Sequence, residues 1–567
     1  MADNKACCGV LPKTVAGTLL MDEGKYYIKG LSGTAFPVQD YFPNGCRVGD
    51  KVAAEMGSDG VYTVTVSFGS ADDAEANYKA VLAGEGLDKG FDLDAEIQAK
   101  ETAFAEITSL MAHRVDLRGK TVITMSKSEK SRAECGFSVE RDKAGNFVLG
   151  LHTVDAAEFI PENSPLENAV FTRGKTVVLP DKEIPMLPDT LSKGPCFLEV
   201  GEDRLAVSYL LTIDNEGKVI AFDFCESIIK TAANCLFDEI EALLFNFDLS
   251  AIIPLRQAYS SVAPTLNLMF SLGGVLQNAR VMGGGADIDR AKRFFPHAIH
   301  GTKAIGVVSR KESDPERLVR EFLAVAGIEL ALYLNRNDIP AIYRVQDAPS
   351  ASAVAEFRSK AALLGINTDD VSDEAVFSFA AEYSHGMRSE ELLLGTLHHL
   401  LPETGFANAP KHHAVHGSDM YVRFAYPINR CADFCMQRIV KHIIAAREGR
   451  AELSKEKMAH IVERGIECAT CCESKAGRVE DAIEDIVAFE CLRRISAKEY
   501  TGLVAAVEAD QMAILLDNGC MAFLKLGDEE RTEDAVVLDG DAYRYGSEIK
   551  VSFDSVDYDE GKLYVKF

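Results

Sequence analysis

The segment from residue 126 to residue 135 combines reactive side chains with positive charge. Its chemically active members are Ser126, Lys127, Lys130, Arg132, Glu134 and Cys135. Hard Mg²⁺ ions prefer several carboxylate oxygens, and Glu134 is the one carboxylate of this set. Serine is neutral, cysteine is a soft and usually protonated ligand, and arginine adds positive charge that repels a metal ion. We therefore predict that no magnesium pair binds here, and we assign any catalytic role in this segment to Glu134.

Strands must position these side chains. Runs rich in β-branched and aromatic residues, separated by turn residues, predict strands at 121–125, 136–140, 147–152 and 203–212. Turns are predicted at 142–146 and 214–217. The segment 126–135 then joins two neighbouring strands.

Several short motifs in this stretch occur in a fixed order. They lie at 115–118 (VDLR), 150–155 (GLHTVD), 179–181 (LPD), 184–188 (IPMLP), 191–192 (LS) and 201–206 (GEDRLA). With them, the stretch from Arg114 to Ser208 resembles the catalytic RNB domain of the RNase II / RNase R family of 3′→5′ exoribonucleases. The resemblance implies hydrolysis of RNA with Mg²⁺, which activates water and stabilises charge on the phosphate.

The chain departs from this family where the chemistry is expected. The family carries four aspartates spaced D-x5-D-x-D-D, and the matching positions here are Ser126, Arg132, Glu134 and Cys135. Asn429 stands where the family has a catalytic arginine, and Val178 where it has a tyrosine that clamps the terminal base. Loss of one preorganised charge-stabilising donor typically costs about 10²–10³ in rate. We therefore predict a degenerate family member, a pseudoenzyme, with little or no exoribonuclease activity.

The later chain extends the resemblance. Residues 411–444 are similar to the late family motif His-Phe-Thr-Ser-Pro-Ile-Arg-Arg-Tyr-x-Asp-Leu, but Arg423 replaces its histidine. In a Tyr-Arg-x-His strand of the family, Gln346 replaces the histidine. Helices are predicted at 228–245, at 312–334, where Ser313 or Asp314 can cap the start, and at 458–489.

The predicted fold class is α+β, an RNB catalytic-type domain flanked by small OB-fold β-barrels. The predicted domains are a cold-shock-like OB domain at 1–72, a helical spacer at 73–111, the RNB domain at 112–495, and a C-terminal OB domain of the ribosomal-protein-S-one type at 496–567. Five short strands separated by turn residues indicate the first barrel.

Composition restricts the function. The chain has 567 residues, a net charge of −27 and 14 cysteines without a disulfide framework spacing. From Ser496 onward, 7 Lys and Arg face 16 Asp and Glu. This acidity argues against strong non-specific RNA binding. Scattered thiols and the lack of a signal-like start or a long apolar run predict a cytoplasmic protein without a membrane span.

Other clusters have simpler explanations. Cys468, Cys471 and Cys472 have C-x2-C spacing, but this segment is predicted to be helical, so buried thiols are favoured over a metal site. His413 matches a family histidine and is assigned a structural role, in preference to chelation with His412 and His416. The glycines at 283–285 lack the residues of a phosphate-binding loop and are predicted to form a loop.

Three functions follow from these observations. The leading one is binding of single-stranded RNA without a cofactor, and its candidate residues are Arg118, Lys127, Lys130, Arg132 and Arg430. The competing interpretation of the lysines and arginines is that they are solvated loop charges. The second function is an active exoribonuclease that binds Mg²⁺ through relocated carboxylates, for which the candidates are Asp116, Glu134, Glu140 and Asp155. The third is a protein-interaction scaffold that has lost RNA. No signal specific to DNA is present.

Overall fold

The structure is a computed structural model. It describes residues 12–567 except 31–32, 104–110, 129–130, 132, 286–287, 289–290, 297–300, 374, 496–498, 528 and 530–534. Two predicted RNA-binding residues, Lys130 and Arg132, lie outside the described residues.

The N-terminal part is a five-stranded sheet followed by two helices. Its elements are β1 (Thr14–Asp22), β2 (Lys25–Gly30), β3 (Ala35–Pro37), β4 (Asp50–Met56), β5 (Tyr62–Ser70), α1 (Ala74–Gly84) and α2 (Leu93–Ala103). The strand order is β3-β2-β1-β4-β5, and a parallel bridge from Val38 to Tyr62 links the chain just after β3 to β5. Leu19, Ile28 and Val52 are buried in this sheet, as apolar residues on its inner face should be.

The central sheet positions the segment 126–135. Its strands are β6 (Val115–Asp116), β7 (Val122–Ser126), β8 (Cys135–Arg141), β9 (Phe147–Val154), β12 (Asp203–Ile213) and β13 (Val219–Leu236). Their order is β12-β9-β8-β7-β13-β6, and β12 also pairs with β13, so five of the strands close into a ring. The excursion between β9 and β12 contains α3 (Ala156–Phe159), α4 (Pro165–Arg173), β10 (Val177–Val178), β11 (Glu183–Ile184) and α5 (Asp189–Ser192).

Helices and short strands follow the central sheet. They are α6 (Phe237–Phe245), α7 (Leu249–Ala258), α8 (Ala263–Met282), β14 (Lys292–Phe294), β15 (Val308–Arg310), α9 (Asp314–Arg336), β16 (Tyr343–Val345), α10 (Ala351–Leu363), α11 (Val376–Tyr383), α12 (Glu390–Leu400), β17 (Gly405–Ala407), α13 (Cys431–Arg447) and α14 (Lys455–Ile495). One continuous hydrophobic core joins the central sheet to α8, α9 and α13. None of the described helices is long and apolar enough to span a lipid bilayer.

The chain ends in strands. They are β18 (Tyr500–Val507), β19 (Gln511–Leu516), β20 (Met521–Lys525), β21 (Ala535–Leu538), β22 (Asp541–Arg544), β23 (Glu548–Asp557) and β24 (Lys562–Lys566). Five of them form a closed barrel in the order β18-β19-β20-β24-β23. The predicted α+β class is confirmed.

Local signals placed several elements correctly. Helix α9 begins with a capping box, in which the Ser313 hydroxyl accepts the Glu316 N–H and the Glu316 carboxylate accepts the Ser313 N–H. The turn before β9 is held by Asp142, whose side chain accepts the N–H groups of Ala144 and Asn146, both at 2.8 Å.

The predicted helix at 228–245 is wrong in its first half. Strand β13 continues to Leu236, and α6 begins only at Phe237. The run contains the β-branched residues Ile228, Ile229 and Thr231, and β13 pairs with β12 and with β7. Strand β12 pairs with this run as far as Lys230, and β7 pairs with it from Thr231 to Leu236. This tertiary pairing satisfies the backbone and outweighs a helical hydrophobic pattern.

Gly327 in α9 lies against the ring of Tyr421 and the backbone of Val422, and the segment that follows them forms part of the candidate functional site. A Cβ at this position would lie 2.4 Å from both the Tyr421 ring and the Val422 carbonyl oxygen. We expect Gly327→Ala to lower the free energy of unfolding by about 1–3 kcal/mol through overpacking. Urea denaturation measures this loss. Gly274→Ala in α8 is the matched control, because a Cβ there meets nothing within 4 Å and should stabilise the helix by up to about 1 kcal/mol. Equal effects of the two substitutions would contradict the packing argument.

Candidate functional site

Glu134 is a buried carboxyl group held by a distant loop. It precedes β8 and is 1% exposed. Its Oε2 accepts the N–H of Ile428 at 2.8 Å, and its Oε1 accepts the side-chain amide of Asn429. Burial raises the pKa of Glu134 to about 8, although these two hydrogen bonds favour the charged form. Both carboxyl oxygens therefore already accept hydrogen bonds from the protein, and the carboxyl group is largely protonated at neutral pH.

The neighbouring positions add no hard ligand. The Ser126 hydroxyl, at the end of β7, contacts the side-chain oxygen of Asn234 at 3.1 Å and the Ser128 carbonyl oxygen at 3.0 Å. The Cys135 thiol is buried, and burial raises its pKa far above the usual range, so it stays protonated. Lys127 is exposed and forms no ion pair with any described residue.

On the other side of the Ile428–Asn429 loop lies the carboxylate of Asp433, in the first turn of α13. It is fully buried, and its Oδ2 accepts the N–H of Tyr426 at 3.0 Å. Arg430 Nη1 lies 3.9 Å from Oδ2, and Arg423 Nε lies 3.6 Å from Oδ1. Neither Arg423 Nε nor Asp433 Oδ1 has a hydrogen-bond partner, although both are buried. Two guanidinium groups thus lie beside one carboxylate, and Oδ1 of that carboxylate still accepts no hydrogen bond.

A third arginine joins this cluster. Glu473 of α14 pairs with Arg423, and its Oε2 lies 3.7 Å from Nη1 of Arg344 in β16. Both guanidinium carbons lie over the Phe406 ring, Arg344 at 4.5 Å and Arg423 at 5.2 Å from its centroid. Burial, followed by repulsion from Arg423, lowers the pKa of Arg344 to about 10.

We name Arg344, Arg423 and Arg430 the arginine cluster. Its three cations face two carboxylates, those of Asp433 and Glu473. The local excess of positive charge is suited to binding an anion such as a phosphate group.

A second group of acidic residues is already neutralised. Among the described residues, Asp155, Glu158 and Glu226 form the one group whose spacing suits a metal ion. The Lys441 ammonium lies 2.5, 2.6 and 2.7 Å from oxygens of these three carboxylates, and Arg114 Nη2 lies 2.6 Å from Asp155. A lysine therefore occupies the position that a cation would take.

The relocated-carboxylate set does not assemble. Asp116 pairs with Arg118 at 2.7 Å, and Glu140 pairs with Lys120 at 2.5 Å. Glu140 lies six residues further along β8 than Glu134, about 20 Å at the usual rise of a strand. Asp155 points to Lys441, so each of these carboxyl groups contributes to a separate set of contacts.

Arg118, a predicted RNA-binding residue, is also engaged. Its guanidinium donates to Asp116 at 2.9 Å and to Asp203 at 2.8 Å. The structure therefore brings together Glu134, Asn429 and Arg430 from the predicted set, and it places Arg118 elsewhere in an ion-pair network.

Comparison with known proteins identifies the family. A model of the RNB domain matches residues 114–446, more than half of the chain. This chain belongs to the RNB domain family. It is 26% identical over 462 residues to "Ribonuclease R 1" of Lactococcus lactis, an alignment that covers 80% of this chain and 55% of that relative. The chain thus spans about half the length of that relative.

Solved structures share the RNB-family fold. Ribonuclease R of Mycoplasma genitalium, in complex with ribose-methylated single-stranded RNA, matches with a TM-score of 0.81 and 18% identity, over 98% of this chain and 89% of that one. Yeast Ssd1, described as a pseudonuclease, matches with a TM-score of 0.69 and 14% identity, over 93% of this chain and 66% of that one. The predicted membership of the RNase II / RNase R family is confirmed.

Sequence reasoning missed most of the arginine cluster. The sequence identifies Arg423 only as a replacement of the family histidine, and it assigns no role to Arg344. Glu473, which holds both, lies on α14 and carries no motif. The available signal is Arg423, because an arginine at the position of the motif histidine needs an anionic partner.

The raised pKa of Glu134 predicts how stability depends on pH. Its pKa rises from 4.5 in the unfolded chain to about 8 in the fold, so the folded state holds an extra proton between these values. This contribution to stability is complete below about pH 4.5 and is lost as pH rises through about 8, by about 1.4 kcal/mol per pH unit.

We therefore expect the wild type to lose stability relative to Glu134→Gln between about pH 5 and about pH 8. Urea unfolding of both proteins across this range measures the difference. Glu140→Gln, which alters the exposed end of β8, provides the baseline. A difference between wild type and Glu134→Gln that stays constant with pH would contradict a protonated Glu134.

Proposed function

We propose that this RNB-family protein binds single-stranded RNA without a metal ion and has little or no exoribonuclease activity. The observation that carries the proposal is the environment of Glu134. Its carboxyl group is buried, hydrogen-bonded at both oxygens, and followed across the Ile428–Asn429 loop by arginines instead of carboxylates. A largely protonated carboxyl group with arginines nearby suits an anion better than a metal cation.

The donor set does not fit the Mg²⁺ that the family implies. Near-octahedral Mg²⁺ needs oxygen ligands with free lone pairs, preferably carboxylates. Ser126 is neutral, the Cys135 thiol is protonated, and Glu134 carries a proton at neutral pH and accepts two hydrogen bonds. The acidic group at Asp155 is neutralised by Lys441 and Arg114. No catalytic step is therefore assigned to a metal ion.

Two further positions favour loss of hydrolysis. Asn429 replaces a cation with a neutral amide, and its side chain is turned to Glu134, so it supplies no charge to a transition-state phosphate. Val178 lies at the exposed end of β10, and its N–H donates to Glu480 at 2.9 Å. An isopropyl group has no ring face on which a terminal base can stack.

Retention of RNA binding rests on the cations that remain. The arginine cluster provides three guanidinium groups that suit phosphate, and Lys127 of the segment 126–135 is exposed. Solved structures of similar fold contain Ribonuclease R bound to single-stranded RNA and to double-stranded RNA. The chain also resembles in fold a protein described as a pseudonuclease, which is compatible with RNA binding without hydrolysis.

We also propose the predicted domain division for this chain. The five-stranded sheet at Thr14–Ser70 and the closed barrel that begins at Tyr500 support OB-type domains on either side of the RNB domain. Because acidic residues dominate beyond Ser496, we assign the RNA contact to the RNB domain and not to the C-terminal barrel.

The first test uses a 5′-labelled single-stranded RNA with purified protein, in Mg²⁺, in Mn²⁺ and in chelator. We expect a stable complex in all three conditions, because the site holds phosphate through arginines. We also expect the labelled RNA to keep its full length. Gel retardation measures binding, and a denaturing gel measures length. An active RNB-family exoribonuclease is the positive control.

The other outcomes are equally clear. Metal-dependent stepwise shortening that Glu134→Ala abolishes would refute the proposal and support an active enzyme. If the RNA is neither bound nor shortened, RNA binding is refuted and the protein-interaction alternative is favoured.

Arg430 provides a second test. Its side chain is 32% exposed and pairs weakly with Asp433. We expect Arg430→Met to weaken RNA binding several-fold and to reduce the slope of log affinity against log salt by about 0.7, the effect of losing one phosphate contact on a single strand. Filter binding at several salt concentrations measures both.

The matched control is Arg310→Met. Arg310 is 31% exposed and pairs with Asp238 at 2.7 Å, away from the arginine cluster. It should leave affinity and slope unchanged. Identical behaviour of the two variants would show that Arg430 makes no phosphate contact.

A further inference from the structure

The corner between α6 and α7 exposes an apolar surface. Its large side chains are Leu244, Phe245, Phe247, Leu249 and Ile253, whose exposure ranges from 42% at Leu244 to 93% at Phe247. Leu249 and Ile253 lie four residues apart on α7 and therefore share one face of that helix. A group of large apolar side chains exposed together marks an interaction site. We name these five residues the α6–α7 face.

An open groove borders the α6–α7 face. It measures about 1040 Å³, and Phe245, Phe247 and Phe294 contribute to its apolar lining. Small-molecule pockets measure about 300–1,000 Å³ and enclose most of the surface of their ligand. This groove is larger and is open to solvent, so it suits another macromolecular surface better than a small ligand.

The two walls of the groove carry opposite charges. The charged residues are Asp238, Glu241 and Asp248 on the acidic wall and Arg310, Lys311 and Arg317 on the basic wall. Arg310 and Asp238 form an ion pair at 2.7 Å, which joins the two walls within one chain. Asp248 and Lys311 are exposed, so each wall also presents a charge to an approaching surface.

The sequence around the face is electrically neutral, although the chain as a whole is strongly acidic. From residue 242 to residue 279 it contains two charged residues, Asp248 and Arg256, whose charges cancel. Two copies that each carry a net charge of −27 repel each other, but physiological salt screens exposed charges separated by more than about 8 Å. A neutral contact area therefore allows two copies to meet without placing like charges together.

We propose that the α6–α7 face is the interface of a homodimer. A two-fold axis that runs along the groove places the acidic wall of each copy against the basic wall of the other, so that one surface complements itself. None of its residues belongs to the arginine cluster, and the proposal is therefore independent of RNA binding.

The apolar area is close to what such a dimer needs. Aromatic side chains present about 150–250 Å² each, and on this scale the exposed parts of the five side chains amount to about 500 Å² per copy. A standard interface takes about 800 Å² from each partner, and homodimer interfaces are about 65% apolar. The α6–α7 face supplies about this apolar share, and the charged walls supply the polar remainder.

A lipid surface and an unrelated protein explain the face less well. Helices that lie on membranes carry lysine and arginine beside their apolar side, whereas Asp238, Glu241 and Asp248 border this face. An unrelated partner would account for the apolar centre, but it would not account for two walls that complement each other.

The first test measures the mass of the full-length protein by sedimentation velocity from about 1 to about 100 µM, the weak end of affinities for an interface of this size. We expect a dimer that dissociates on dilution. Phe247→Glu should weaken dimerisation at least about 100-fold, because the two-fold axis then buries two unpaired carboxylates in an apolar centre. Leu93→Glu is the matched control, since Leu93 is 73% exposed at the start of α2, and it should dimerise like wild type.

Charge reversal tests the two-fold arrangement. Lys311→Glu places acidic residues on both walls, and Asp248→Lys places basic residues on both. Each variant alone should dimerise about 10-fold more weakly, whereas an equimolar mixture should recover the affinity of wild type, because an acidic copy then faces a basic copy. Recovery in the mixture also shows that both variants are folded.

Other results would overturn the proposal. They are a wild type that stays monomeric at every concentration, a Phe247→Glu variant that dimerises like wild type, charge reversals that do not weaken dimerisation, and a mixture without recovery. A monomer that floats with phosphatidylcholine vesicles would assign the face to a lipid surface. A monomer that does not float with them would assign it to a different protein.

Discussion

The burial of α13 is the constraint on which the rest of the RNB domain depends. This helix lies inside the core, yet it carries Asp433, Gln437, Arg438 and Lys441, and a buried polar group without a partner costs several kcal/mol. Each therefore needs a partner from another element: Gln437 donates to the Val154 carbonyl at 2.7 Å, Arg438 pairs with Glu167, and Lys441 pairs with Asp155. These contacts fix α13 against the sheet and the β9–β12 excursion, and so they fix the loop that precedes it.

The same loop explains why the altered residues form a coherent site. Ile428 and Asn429 reach Glu134 across the interface, and a neutral amide faces a carboxyl group that is largely protonated. Several carboxylates around position 134 would need a cation to balance them in this buried position. With a neutral amide at Asn429 and a largely protonated Glu134, this contact leaves no buried charge that needs a metal ion to balance it.

Local patterns predicted what depends on neighbours in sequence. Alternation and turn residues located β7, β8 and β9, and the serine cap located α9, because these signals act within a few residues. The helix predicted at 228–245 failed because pairing with β12 decides the state of Ile228 and Ile229, and pairing with β7 decides that of Thr231 to Leu236. The arginine cluster was beyond prediction for a related reason: Glu473 lies on α14, and only tertiary packing brings it to Arg344 of β16 and to Arg423.

The overall charge of −27 and a local excess of cations act at different distances. At physiological salt, charges separated by more than about 8 Å are largely screened, so the acidic surface slows the approach of RNA more than it weakens a phosphate already in contact. Inside the site, Arg344 and Arg423 are partly desolvated and close to each other, and the pKa of Arg344 is lowered first by burial and then by repulsion from Arg423. Under the proposed function, a bound phosphate would offset this repulsion locally, while the acidic surface would disfavour RNA elsewhere on the protein.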